Sequence, residues 1–88
     1  MKQTIKLSEK EKLVLKVLVE NYYNHTFLPF APIVERTGLD RRQVRLACRS
    51  LKRKGLAQFS NALFDFDGNF KGSGYAATPI AVVMSQME

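Results

Sequence analysis

The chain has 88 residues, 45% of them hydrophobic and 25% charged, which suits one globular domain with a small core. Fourteen Lys plus Arg against eight Asp plus Glu give a net charge of +6, and half of the basic residues fall between Arg41 and Lys54, which points to nucleic acid first and an anionic membrane surface second. Cys48 and His25 are the single cysteine and the single histidine, which excludes an internal disulfide and makes a zinc site implausible.

The opening MKQTIKLSEKEK is interrupted by charges before any apolar run, so it is no signal peptide. The run LVLKVLV is too short to cross a bilayer and is broken by Lys16. A cytoplasmic location, with no membrane, metal or cofactor partner, is the expectation. After an arm over residues 1–7, Ser8 to Tyr23 reads as a first helix. Ser8 and Glu11 have capping-box spacing, and Glu9 and Glu11 suit the positive end of the helix dipole. Leu13, Val14, Val17, Leu18 and Tyr22 share its apolar face, Lys12, Lys16 and Glu20 lie opposite, and Leu15 and Val19 widen the apolar surface. That width fits a central core helix or one that also meets a partner.

Asn24–His25 is a turn, with His25 facing solvent. Thr26 to Phe30 is an edge strand or an extended linker, since Pro29 cannot sit in a central strand. Pro32 suits the first turn of a second helix, PIVERT, ended by Gly38. Ile33 and Val34 face inward. Gly38–Leu39–Asp40 then turns into the most informative stretch, DRRQVRLACRSLKRKG.

That stretch predicts a helix over 40–54, capped by Asp40 with Gln43 three residues on and stopped at Gly55. At about 100° per residue, Val44, Ala47, Cys48 and Leu51 fall on one side. Arg41, Arg42, Arg45, Arg49 and Lys52 fall on another, with Arg53 at its edge. Ordinary surface helices mix charge signs, whereas Arg41–Arg45–Arg49 stacks like charges at i,i+4 spacing, at a cost of a few tenths of a kcal/mol per pair. An anionic partner offsets that cost. A membrane-surface helix would carry bulky aromatics on its apolar face, and Ala47 and Cys48 are too small for that role.

From Leu56 to Thr78 the pattern becomes a hairpin around Asp67–Gly68–Asn69. Of two turn registers, the three-residue loop is preferred, because it sets Phe66 against Phe70 and Asp65 against Lys71. Gly72 and Gly74 mark a bulge or a close backbone approach. Thr78 caps and Pro79 begins a last helix, with Ile80, Val83, Met84 and Met87 on one side. That side packs on the first helix or on a second subunit.

The order helix, short strand, helix, basic helix, hairpin, closing helix resembles a winged helix-turn-helix, as in MarR-type bacterial regulators and small phage or prophage regulators. The matching residues are VERTGLDRRQVRLACRSLKRKGLAQF, Val34 to Phe59, and GYAATPIA, Gly74 to Ala81, which is similar to a Tyr-x-Leu-Thr-x-x-Gly signature following the wing. The chain departs from that pattern with Ala77 in place of Leu and Ala81 in place of Gly. At the wing tip, Asp67–Gly68–Asn69 replaces the usual Asp-x-Arg, leaving Lys71 as the remaining wing cation. The resemblance implies an α+β fold with a three-helix core, a two-stranded wing and a short C-terminal helix, as a single domain over residues 1–88. It also implies double-stranded DNA as partner and transcription regulation as function. The long flanking helices that dimerise such regulators are largely missing, so dimerisation by that route does not carry over.

On this reading Arg42, Arg45 and Arg49 are the candidates for base edges, because guanidinium pairs bidentately with guanine. Leu46 touches a thymine methyl or packs against the wing. Arg41, Lys52, Arg53 and Lys71 suit phosphates, which set register and affinity, and Thr37 adds a phosphate hydrogen bond at the corner. A homodimer through the first and last helices is favoured by their apolar excess. The alternatives are a winged-helix protein–protein interaction module binding an acidic partner, and a phage replication or packaging factor. In a lesser variant, Phe59, Phe64, Phe66 and Phe70 stack bases of a single strand. No nucleophile–base pair or metal cluster suggests an enzyme.

Overall fold

The computed structural model describes residues 6–24, 27–64 and 70–86, and of residues 61–64 and 70–72 the backbone alone. Helix α1 spans Glu9–Asn21. Its capping box is formed: the Glu11 amide donates to Ser8 Oγ at 3.2 Å and the Ser8 amide to Glu11 Oε1 at 3.0 Å. The helix stops two residues before the expected Tyr23 and tightens into a 3₁₀ turn, Tyr22–Asn24. There the Asn24 side-chain amide donates to Asn21 Oδ1 at 2.9 Å, a local bond that competes with a continued helix.

The buried arc of α1 is centred on Val14 and Leu18 and takes in Glu11, Leu15, Val17 and Asn21. Leu13, expected on this face, is exposed instead. The helix touches α2 (Phe30–Thr37), α3 (Arg41–Arg53), the hairpin and α4 (Pro79–Gln86). The burial of Leu15 beside Val14 and Leu18 follows from that central position. Val14, Leu18, Ile33, Val44, Cys48, Leu51 and Leu56 are the largest fully buried side chains.

Leu28 makes a one-residue bridge to Tyr75, with both backbone N–H···O bonds at 2.8 Å. Pro29 has no N–H to extend the ladder and instead precedes α2, which begins at Phe30 rather than at Pro32. Pro32 still lies in the first turn, where its missing N–H goes unneeded. Gly38 closes α2 with φ +74°, the left-handed conformation expected of it. Asp40 caps α3 through a formed capping box with Gln43, the Gln43 amide donating to Asp40 Oδ1 at 2.7 Å. Lys54 and then Gly55, at φ +79°, end the helix.

Strands β1 (Ala57–Phe64) and β2 (Phe70–Ala77) form an antiparallel hairpin. Its register corrects the sequence reading: Phe70 pairs with Phe64 rather than with Phe66. The ladder is fixed at its base, where Phe59 opposes Tyr75 and Tyr75 is held on its other edge by Leu28. Two register shifts bracket Leu63, whose partner is Gly72, as a strand glycine suggests. The expected Asp65–Lys71 pair lies outside the described residues and side chains.

Thr78 joins the hairpin to α4. Its hydroxyl donates to the Gly55 carbonyl at 2.8 Å and accepts from the Ala81 amide at 3.3 Å. Ala81 and Val82, not Ile80 and Val83, are buried in the core. Ile80 and Val83 point outward at 63% and 55% exposure. Met84 is partly buried, and Met87 lies outside the described residues.

Candidate nucleic-acid interface

Helix α3 is bound to the core by Val44, Ala47, Cys48 and Leu51, all buried. This anchoring turns Arg41, Arg42, Arg45, Leu46, Arg49, Lys52 and Arg53 outward, and all seven are exposed. Among the described residues, Arg42, Arg45, Arg49 and Arg53 have no hydrogen-bond or ion-pair partner. Among the described residues, nothing neutralises the like-charge rows of the sequence.

The two edges of that face differ. On one edge Arg41 Cζ lies 6.0 Å from the centroid of Phe30, and Lys52 Nζ lies 5.7 Å from that of Phe59. Tyr75 sits between these two rings, stacked on Phe30 at 5.9 Å and tilted on Phe59 at 5.0 Å. Burial raises the Tyr75 pKa, Cys48 adds to the rise, and Arg49 and Arg45 oppose it. Leu46, at 55% exposure, lies on the other edge, beside a shallow groove shared with Ser8, Lys10, Gln43 and Ser50. It borders the start of α1, not the hairpin.

Thr37 does not keep its expected free donor. Its hydroxyl donates to the Ile33 carbonyl at 2.7 Å and accepts from the Leu39 amide at 3.2 Å, which closes the turn between α2 and α3. Lys54 is also committed. It donates to Glu11 Oε2 at 2.8 Å and to the Lys6 carbonyl at 2.9 Å, while Ser50 donates to the same Glu11 oxygen at 2.8 Å. Burial acts to raise the Glu11 pKa, but Lys54, the Ser8 backbone, Ser50 and the Ser8 hydroxyl together hold it at about 2. This cluster ties the start of α1 to the end of α3 and escaped the sequence reading, because Glu11 is already explained there by its capping role. Burial pushes the Cys48 thiol up to about 12, so it is a core side chain and a poor nucleophile. Among the described residues, no group of His, Cys, Asp and Glu could hold a metal ion, and no helix is long and apolar enough to cross a membrane.

Solved structures share this arrangement. The zinc-responsive MarR family member ZitR of Lactococcus lactis superposes with TM-score 0.68 at 19% identity, over 97% of this chain and 53% of its own. A candidate DNA-binding protein of Ralstonia eutropha superposes with TM-score 0.71 at 23% identity, over 93% of this chain and 96% of its own. The chain has the winged helix-turn-helix fold. BpsR of Bordetella bronchiseptica, whose DNA binding is regulated by 6-hydroxynicotinic acid, shares it with TM-score 0.65 at 21% identity, over 93% of this chain and 58% of its own. The chain spans about half the length of ZitR. No protein-family model matches the sequence, and no curated protein matches it at a significant level.

Within the winged helix-turn-helix, α2 and α3 are the helix-turn-helix pair and α3 stands in the place of the recognition helix. The β1–β2 hairpin is the wing. It emerges on the edge of α3 that carries Lys52. Lys71 lies in β2, and its side chain is outside those described.

Proposed function

We propose that the chain binds double-stranded DNA sequence-specifically and regulates transcription. In this reading α3 enters the major groove and the hairpin lies along the flanking backbone. The observation that carries it is the face of Arg42, Arg45 and Arg49, exposed and, among the described residues, without an ion-pair partner, on a helix capped at its start and held to the core. Guanidinium groups so placed match the acceptor pair of guanine in the major groove. Arg41, Lys52, Arg53 and Lys71 contact phosphates, and Leu46 meets a thymine methyl on the α1 side. The fold shared with DNA-binding regulators supports the same reading.

The outward pair Ile80 and Val83 on α4, whose Gln86 side chain donates to the Tyr23 hydroxyl at 3.3 Å, supports a homodimer through the surface carried by the first and last helices. The test of DNA binding is fluorescence anisotropy with duplex DNA across a salt series, for the parent and for Arg45→Glu/Arg49→Glu. Binding that weakens steeply with salt as counterions are released, and is lost in a folded double variant, supports the reading. Equal binding by both proteins, or none at low salt, refutes it and directs the search to an acidic protein partner.

A further inference from the structure

Three aromatic rings from three separate elements line the wing-side edge of α3: Phe30 from α2, Phe59 from β1 and Tyr75 from β2. Tyr75 is buried, whereas Phe59 remains 40% exposed. Phe59 packs on Tyr75 at 5.0 Å and leaves much of its ring outside the core. What lies over it is the Lys52 ammonium, and what lies over Phe30 is the Arg41 guanidinium. Both distances fall within the range in which a ring quadrupole attracts a cation.

We infer that Phe30 and Phe59 are positioning residues for DNA binding, holding Arg41 and Lys52 in place as a pair of phosphate contacts along one strand. The inference rests on the reading of α3 as the DNA-binding helix and adds a division of labour to it. Arg41 and Lys52 lie near opposite ends of α3 on one edge, about 16 Å apart along the helix axis at 1.5 Å per residue. Between them and further round the helix lie Arg42, Arg45 and Arg49, which no ring holds. A long basic side chain loses rotamer freedom when a partner immobilises it. A ring that already confines the cation reduces that loss, while leaving the charge outward for a phosphate. Because Tyr75 packs against both rings, the same row also sets the wing against α3.

The experiment takes Phe59, the more exposed of the two. Phe59→Leu keeps an apolar side chain and removes the ring. Phe59→Tyr keeps the ring. Each is combined with Lys52→Gln in a double-mutant cycle, read by duplex affinity at fixed salt, with thermal unfolding of every variant. In the parent, the Lys52 ε-methylene protons shift upfield in the NMR spectrum under the Phe59 ring, and Phe59→Leu abolishes that shift. Phe59→Leu weakens duplex binding by about two- to fivefold, the range for an exposed cation–π contact. The same change has no further effect in the Lys52→Gln background, and Phe59→Tyr binds like the parent. Unchanged affinity in Phe59→Leu overturns the inference. So does an equal loss in both backgrounds, which assigns the ring to direct DNA contact or to the fold. A parent that binds no duplex DNA removes the DNA reading and this inference with it. An uncoupled cycle in a parent that does bind removes this inference alone.

Discussion

Glu11 offers the sharpest test of how α1 and α3 are joined. Its carboxylate accepts from the Ser8 amide, the Ser50 hydroxyl and the Lys54 ammonium, and its side chain is 11% exposed. Its pKa stands at about 2 in the folded chain against 4.5 for an ordinary glutamate. At about 1.36 kcal/mol per pH unit of separation, that difference is worth roughly 3 kcal/mol of stability. Between the two values the unfolded chain binds the proton and the folded chain does not. The contribution is therefore complete above the ordinary value and is lost as pH falls through about 2. A domain of this size holds about 4–13 kcal/mol in total, so the loss is large. Glu11→Gln should lower the urea-unfolding free energy by roughly 3 kcal/mol at pH 7 and by almost nothing at pH 2, where the parent is also becoming neutral. Lys54→Met should cost less, about 1 kcal/mol, because the ammonium is 31% exposed and screened by water. The assay is circular-dichroism-monitored urea unfolding of parent and variants across pH 2–7. A stability difference between parent and Glu11→Gln that stays constant over that range refutes the assignment of the charge to this network.

Two further predictions concern packing. Cys48 is fully buried in the centre of α3's inner face, so Cys48→Phe should overpack it and cost about 1–3 kcal/mol. The native thiol should react with a thiol-specific dye only as fast as the chain opens, and rapid labelling of folded protein would contradict its placement. Ile80 and Val83 should support self-association, read by light scattering at micromolar concentration. A dimer that Ile80→Asp converts to a folded monomer agrees with the proposed surface, and a monomeric parent sinks it.

The features legible in the sequence are those whose causes are local. Ser8 with Glu11, Asp40 with Gln43, and Thr78 before Pro79 each announce a helix start through atoms within three or four residues. Gly38 and Gly55 announce the ends through a backbone conformation that other residues resist. The inner face of α3 followed from helical period alone. The hairpin register was not legible, because the choice is made at the base by Tyr75, trapped between Leu28, Phe30 and Phe59. Of these only Phe59 lies on the same hairpin. The second roles of Glu11, Lys54 and Thr37 were not legible for a related reason. Each has a sequence-local role or an obvious surface chemistry that hides a partner elsewhere in the chain or on the adjacent backbone.

The seven basic residues between Arg41 and Lys54 are therefore not equivalent, although composition counts them alike. Lys54 is drawn into the α1–α3 contact and serves the fold. Arg41 and Lys52 lie over rings and stay exposed. Arg42, Arg45 and Arg49, with Arg53 beside them, have no ion-pair partner among the described residues. Net charge measures how strongly such a chain attracts a polyanion. In the proposed reading, specificity depends on the smaller set that is fixed in the backbone and, among the described residues, unpaired in the side chain. That combination arises here because a capped helix with small inner residues sits close against its core, and so presents its arginines from a fixed axis. Replacing Ala47 or Cys48 by a larger residue overpacks that contact without altering a single charge, so in the proposed reading the smallest residues on α3 bear on DNA binding as the arginines do.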